Sequence, residues 1–271
     1  MQDDPAKDRP SFVDQAALTR QRTRARLDRA GFLHDEGRLE LQERLLDVNR
    51  SFTHPAIVTP FCDTWADFLP DARVVPDAAV LDLDPGAHDL VIHTMGLHWA
   101  DDPVGQIVQC RRALQPDGLF IGVMLGGDSL QELRLSLAQA EAEVMGGLSP
   151  RVAPMGEIRD LGGLLGRAGL SLPVADRLPR DVSYQTMFHL IRDLRDMGET
   201  NALTARHRAI PPRAFFPRAA QIYADNHGTG EGRIKARFEL VFLTGWAPHD
   251  SQQKPLRPGS AAARLAEALE T

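Results

Sequence analysis

Cysteine is nearly absent from this chain. Cys62 and Cys110 are the only two, and they stand far apart, which suggests neither a disulfide scaffold nor a zinc site. No apolar run approaches the length of a membrane span. The opening MQDDPAKDRP is acidic and has no apolar core, so it does not read as a secretion signal, and a mitochondrial presequence avoids such acids. A bacterial cytoplasm is the expected compartment. The nine histidines lack metal spacing; His93 and His98 stand five apart in a loop, which is unspecific, and no metal site is expected. No serine sits in a G-x-S-x-G turn. The net charge of −6 argues against general nucleic-acid binding. One further lack is local: there is no glycine from Ala56 to Pro85.

What is present is ordinary for a globular protein: 271 residues, 43% hydrophobic and 25% charged. That length allows one large domain or two small ones. The most ordered pattern runs from Asp89 to Gly122. Leu90-Val91-Ile92 is a short apolar, β-branched run, the mark of a buried strand. It breaks at His93-Thr94-Met95-Gly96, and His98-Trp99 follow. Asp102 is placed to cap a helix with Pro103 at its first position. Ile107, Val108, Cys110 and Ala113-Leu114 recur at helical spacing. Pro116-Asp117-Gly118 reads as a turn, and Leu119-Phe120-Ile121 as the next strand. Strand, helix and strand in this order imply a right-handed crossover and a parallel sheet. In such sheets ligands sit beyond the carboxyl ends of the strands, where His93 to Trp99 falls.

A strand, a loop ending in LHW, a helix and then LxPDGLF resemble the second half of class I S-adenosylmethionine-dependent methyltransferases. Further on come ELR, RAGL, DLRDMGETN and GWAPHDSQQKPLRPGSA. As an ordered set these resemble the methyltransferase-like family that includes the respiratory complex I assembly factor acting as an arginine hydroxylase, here of the alphaproteobacterial type. The malonyl-carrier-protein methyltransferases are more distant relatives. The resemblance covers roughly residues 10–271. It implies a Rossmann-like three-layer α/β sandwich with an antiparallel last strand. It also implies a methyltransferase-like domain over 31–250, preceded by a basic helical arm (1–30) and followed by a tail with a short helix (251–271).

The first half departs from that pattern. The family places a glycine-rich turn of the type D-x-G-x-G-x-G after its first strand, here Ala56-Ile57-Val58, because the backbone must turn sharply and approach the cofactor. This chain has Thr59-Pro60-Phe61-Cys62-Asp63-Thr64-Trp65, and Pro60 also lacks a backbone donor. After the second strand, Arg73-Val74-Val75, the family has an acid for the ribose hydroxyls; Asp77 is the candidate, and a plain turn residue is the alternative. Between Val75 and Val91 there is room for a minimal strand at Val80-Leu81 and Leu83, but not for a full crossover helix. The fold is therefore expected to be contracted in its first half. By resemblance, Asp77, His93, Met95, Leu97 and Trp99 would line the S-adenosylmethionine site, whose binding the lost glycines impair.

Elsewhere the pattern is mostly structural. Ser11 with Asp14 marks a helix start, and Arg20, Arg22, Arg24, Arg26 and Arg29 follow as a solvated face or a patch for an acidic partner. Phe32 to Arg50 reads as a helix with Leu39, Leu45, Leu46 and Val48 on its apolar side. Leu130, Leu133, Leu137, Ala140 and Val144 form another helix face, with Glu132, Glu141 and Glu143 outside it. Pro154 opens a helix ending at Gly169, and Leu170–Val174 is a strand. Tyr184, Met187, Phe188, Ile191 and Leu194 form a helix ending at Gly198, and Ala219–Tyr223 a short one. Arg233–Gly245 alternates as the last strand, with Lys235, Arg237 and Glu239 on its polar side.

His93 or His98 is the candidate general base for an acidic acceptor; the alternative is that they only fix the strand end. Trp99 is a stacking platform or a packing residue. The irregular stretch after Gly245 is long enough to be functional or disordered. It is expected to fold back over the mouth of the sheet near His98-Trp99. There Arg195, Asn201, Trp246, Gln253 and Arg257 would form a surface for a protein client, by resemblance a respiratory complex I subunit; the alternative is a tail that merely covers the edge of the sheet. Three readings stay open: a protein acting on or assisting such a client with an impaired cofactor site; an active methyltransferase on a small molecule or a carrier-protein carboxylate; and a non-catalytic binding protein.

Overall fold

The computed structural model describes residues 11–253. β1 (Pro55–Val58), β2 (Arg73–Val75), β3 (His88–Thr94) and β4 (Leu114–Leu125) are mutually parallel. β6 (Ile234–Trp246) runs antiparallel to β4, and β5 (Ser171–Tyr184) closes the edge antiparallel to β6. The strand order is β2-β1-β3-β4-β6-β5. Ile57, Leu90, Ile92, Ile121 and Val123 face one core, and Val58, Val91, Phe120 and Met124 the other. A strand that must be apolar on both faces explains the unbroken Leu90-Val91-Ile92 run.

One core is covered by α3 (Phe32–Asp47), α6 (Gln131–Met145), α8 (Met187–Asp196) and α9 (Phe215–His227), the other by α5 (Pro103–Ala113) and α7 (Ile158–Arg167). This is the expected three-layer sandwich. α5 starts where its sequence says: the Gly105 N–H donates to Asp102 Oδ1 at 2.8 Å, with Pro103 at the first position.

The expected contraction is present. Residues 76–87 contain neither helix nor strand, so the minimal strand at Val80-Leu81 does not form, and Val80 is exposed. The connection is instead tied to α5 through side chains. Gln106 Nε2 donates to the Ala78 carbonyl, Gln109 Nε2 to that of Ala79, and the Leu81 N–H to Gln109 Oε1.

Other expectations are corrected. The arginine-rich arm is two helices, α1 (Gln15–Thr23) and α2 (Leu27–Ala30), and its cap is Asp14, whose carboxylate accepts from the Ala17 N–H. α3 buries Leu33, Gly37 and Leu41 and leaves Leu39 and Leu46 exposed. α4 (Cys62–Trp65) is a single turn. Glu141 is buried under Arg151 and Ser149, and Glu239 is buried against the Asp128 N–H. Polar positions therefore do not mark the outer face where a partner is supplied. α7 begins at Ile158, after Pro154. β5 extends to Tyr184, because pairing with β6 carries an edge strand through Pro173 and Pro179.

Candidate functional site at the carboxyl ends of the strands

β3 ends in a tight descent. Met95 has φ 54° and Leu130, entering α6 after β4, has φ 57°. Side chains avoid this left-handed region, at a cost of about 1–3 kcal/mol each, so both turns store backbone strain, as do Asn49, Asp71, Asp117 and Leu172 elsewhere. Gly96 follows Met95. A Cβ there would lie 2.6 Å from Asp77 Oδ2 and 3.1 Å from the His93 ring, so only glycine lets the two side chains close around this turn. Leu97–Trp99 then forms a 3-10 turn.

Asp77, just past β2, meets a cation from the chain's own arm. Arg22 Nη1 lies 3.0 and 3.1 Å from its two carboxylate oxygens, with the side chains 16% and 15% exposed. Burial raises the Asp77 carboxyl above its ordinary range, and Arg22 opposes this only in part. Arg22 Nη2 is buried without a partner among the described residues.

His93 is fully buried. Its Nε2 is 3.3 Å from Gln106 Oε1, and burial pushes its pKa down to about 4. It is neutral near pH 7 and a weak base.

His98 is held differently. Its Nε2 lies 3.1 Å from both oxygens of Glu199, and Trp99 Nε1 donates to Glu199 Oε2 at 2.7 Å. Burial pulls the Glu199 carboxyl up, but the charge of His98, hydrogen bonds from His98 and Trp99, and the charge of Arg22 outweigh it and leave it below the ordinary range. Glu199 was not singled out by sequence reasoning, although it stands inside the DLRDMGETN stretch. Its role needs a contact across about a hundred residues to LHW.

Two cavities flank this turn, with Trp99 in the wall of both. The first, about 320 Å³, is bounded by Arg22, Asp77, His93, Gly96, Asp101 and Gln106. The second, about 270 Å³, has an apolar floor of Leu125, Leu130, Leu133 and Leu137 and a polar rim including Arg195, Glu199 and Asn201. Met95 and Leu97 are buried in opposite cores and line neither cavity.

The turn after β1 is filled by side chains. The Thr59 N–H donates to the Val75 carbonyl. The Phe61 ring packs edge-on against His34 at 5.2 Å, and a Cβ on Gly198 would lie 3.2 Å from its tip. His34 Nδ1 accepts from Trp65 Nε1 at 3.1 Å, and burial holds its pKa near 4.

The sequence-predicted partner surface divides. Arg195 and Asn201 border the second cavity. Asn201 also holds the local backbone, donating to the Pro150 carbonyl and accepting from the Leu203 N–H. Trp246 lies at the other end of the sheet, opposite Leu119 and Ser171, with the Arg50 guanidinium 5.7 Å from its ring. Gln252 donates to Asp117 at the start of β4, and exposed Gln253 follows. As far as Gln253, then, the tail does not reach His98-Trp99: an antiparallel last strand delivers it to the amino ends of its neighbours. Arg257 and the terminal helix lie outside the described residues. Among the described residues no three histidine, cysteine or acidic side chains cluster as metal ligands, and no helix is long and apolar enough to cross a membrane.

Residues 39–122 match the family described as "Methyltransferase domain". The chain is 39% identical over 199 residues to the "Arginine-hydroxylase NDUFAF5, mitochondrial" of Danio rerio, covering 73% of this chain and 62% of that one. It is 38% identical over 199 residues to the protein of the same name in Homo sapiens, covering 73% and 57%. It is 30% identical over 179 residues to the "Malonyl-[acyl-carrier protein] O-methyltransferase" of Xylella fastidiosa, covering 66% and 58%. In each case the match spans less than two thirds of the relative's own length.

Proposed function

We propose, for a chain with a methyltransferase domain over residues 39–122 and this sheet order, that it acts on or assists the assembly of a protein client with an impaired S-adenosylmethionine site. By likeness to the arginine hydroxylases, the client is a respiratory complex I subunit, met in a bacterial cytoplasm. The observation that carries the reading is the Arg22–Asp77 pair. The acid that resemblance assigns to the ribose is already satisfied by the arm.

The neighbouring turn agrees. A glycine-rich turn offers bare backbone N–H groups to a ligand; here Thr59 spends its N–H on β2, Pro60 has none, and the Phe61 ring stands between His34 and Gly198. These residues do not fit the cofactor. The chain's own contribution is positional. Glu199 locks His98 and Trp99, and with them the wall shared by the two cavities.

A second reading, an active methyltransferase, is favoured by the first cavity. Its volume of about 320 Å³ falls within the roughly 300–1,000 Å³ of small-molecule pockets. Calorimetry with S-adenosylmethionine separates the readings: no measurable heat is expected, and micromolar affinity supports the second. The client reading is tested in cells deleted for the gene. Complex I-dependent NADH oxidation should fall and should return with the wild-type chain; an unchanged rate on deletion sinks it.

A further inference from the structure

The second cavity continues outward into a groove. An adjoining hollow of about 320 Å³ shares Ile191, Arg195 and Phe216 with it. One side of that hollow is a face of α8. Met187, Leu190 and Leu194 are buried, whereas Phe188, Ile191, Arg192 and Arg195 recur at i, i+3, i+4 and i+7 and form a second, outward stripe.

The stripe places exposed aromatic rings beside unpartnered arginines. Phe188 is 50% exposed, and Phe216, facing it from α9, is 36% exposed. Arg192 and Arg195, one helical turn apart and both exposed, have no hydrogen-bond or ion-pair partner among the described residues. Most other arginines near the groove are matched: Arg151 to Glu141, Arg206 to Asp14 and Arg218 to Glu143. Asp193, between the two in sequence, lies against Tyr184. An aromatic mouth with two free guanidiniums is complementary to an apolar side chain flanked by carboxylates.

We propose that this groove docks an acidic, apolar-anchored segment of a partner protein. A leucine- or phenylalanine-sized side chain would enter between Phe188 and Phe216 toward the leucine floor. Flanking carboxylates would pair with Arg192 and Arg195, whose forked guanidiniums suit bidentate carboxylate recognition. The mode is that of an anchor in an apolar pocket within a charged rim. The inference rests on the client reading and adds the chemistry of the segment that the client presents.

Fluorescence anisotropy on the full-length protein tests it with three fluorescein-labelled peptides: Glu-Glu-Leu-Phe-Glu-Glu, Lys-Lys-Leu-Phe-Lys-Lys and Glu-Glu-Gly-Ser-Glu-Glu. The first should bind, and the other two at least tenfold more weakly. The variant Arg192→Glu with Arg195→Glu, both surface changes, should lose at least tenfold for the first peptide while keeping the wild-type melting temperature. Phe216→Ser should weaken it independently of charge. The proposal is overturned if the three peptides bind alike, if the charge-reversed variant binds as wild type does, or if decanoate or a deoxythymidine oligonucleotide binds more tightly than the first peptide. Rescue of complex I activity without peptide binding removes the groove and leaves the client reading standing; peptide binding without any effect of deletion on complex I does the reverse.

Discussion

Glu199 ties two distant stretches of the chain together. Its carboxylate takes the His98 and Trp99 N–H groups at the turn after β3 while its backbone continues from α8. A hydrogen bond to a charged group is worth about 1.5–3 kcal/mol, so Glu199→Gln should lower the urea-unfolding free energy by about that amount. The pH response follows from the same cluster. His34 and His93 have folded pKa values near 4 against an ordinary 6.5. Between those values the unfolded chain holds protons that the folded chain does not. Stability is therefore full above about pH 6.5 and is lost as pH falls toward 4. Glu199, whose folded pKa is depressed, contributes above the unfolded carboxylate value and loses that contribution on further acidification through its folded pKa. Urea titrations at pH 7, 5.5 and 4 should show this slope, and His93→Gln should flatten it by up to roughly 3 kcal/mol.

At the scale of elements, one ion pair links the arm α1 to the segment just past the edge strand β2. Arg22→Ala leaves Asp77 partly buried without its cation, and a broken buried pair costs about 3–5 kcal/mol; the residual exposure here places the expected loss at the low end. Adding Asp77→Asn should recover part of it, a coupling that a double-mutant cycle measures directly. The start of α5 carries its own cap. Asp102→Ala removes the acceptor of the Gly105 N–H and should cost about 1 kcal/mol, read as a lower midpoint in thermal unfolding.

At the scale of the whole molecule, the contracted sheet and the filled turn after β1 make a single thermodynamic prediction. A ligand present at a hundred times its dissociation constant raises stability by about 2.7 kcal/mol. S-adenosylmethionine at millimolar concentration should leave the melting temperature unchanged, and a shift of several degrees would show that the folded protein binds it.

Local pattern was enough for some of this protein. The Leu90–Ile92 run, the Asp102-Pro103 cap and the Ile234–Phe242 alternation each encode an element within a few residues, and the structure has all three. The missing helix between β2 and β3 was also legible, because chain length alone forbids it. What only the tertiary structure decided are the partners of polar groups. Nothing near Asp77 in sequence announces Arg22, nothing near Trp99 announces Glu199, and Glu141 and Glu239 read as surface until Arg151 and the Asp128 N–H are brought to them. The direction of β6 likewise carried Trp246 away from the site to which its tail had been assigned. Hydrophobic periodicity is written along the chain, so a window of residues reveals it. A buried charge is stable only with a partner that folding brings from far away, so it is revealed only by the folded molecule.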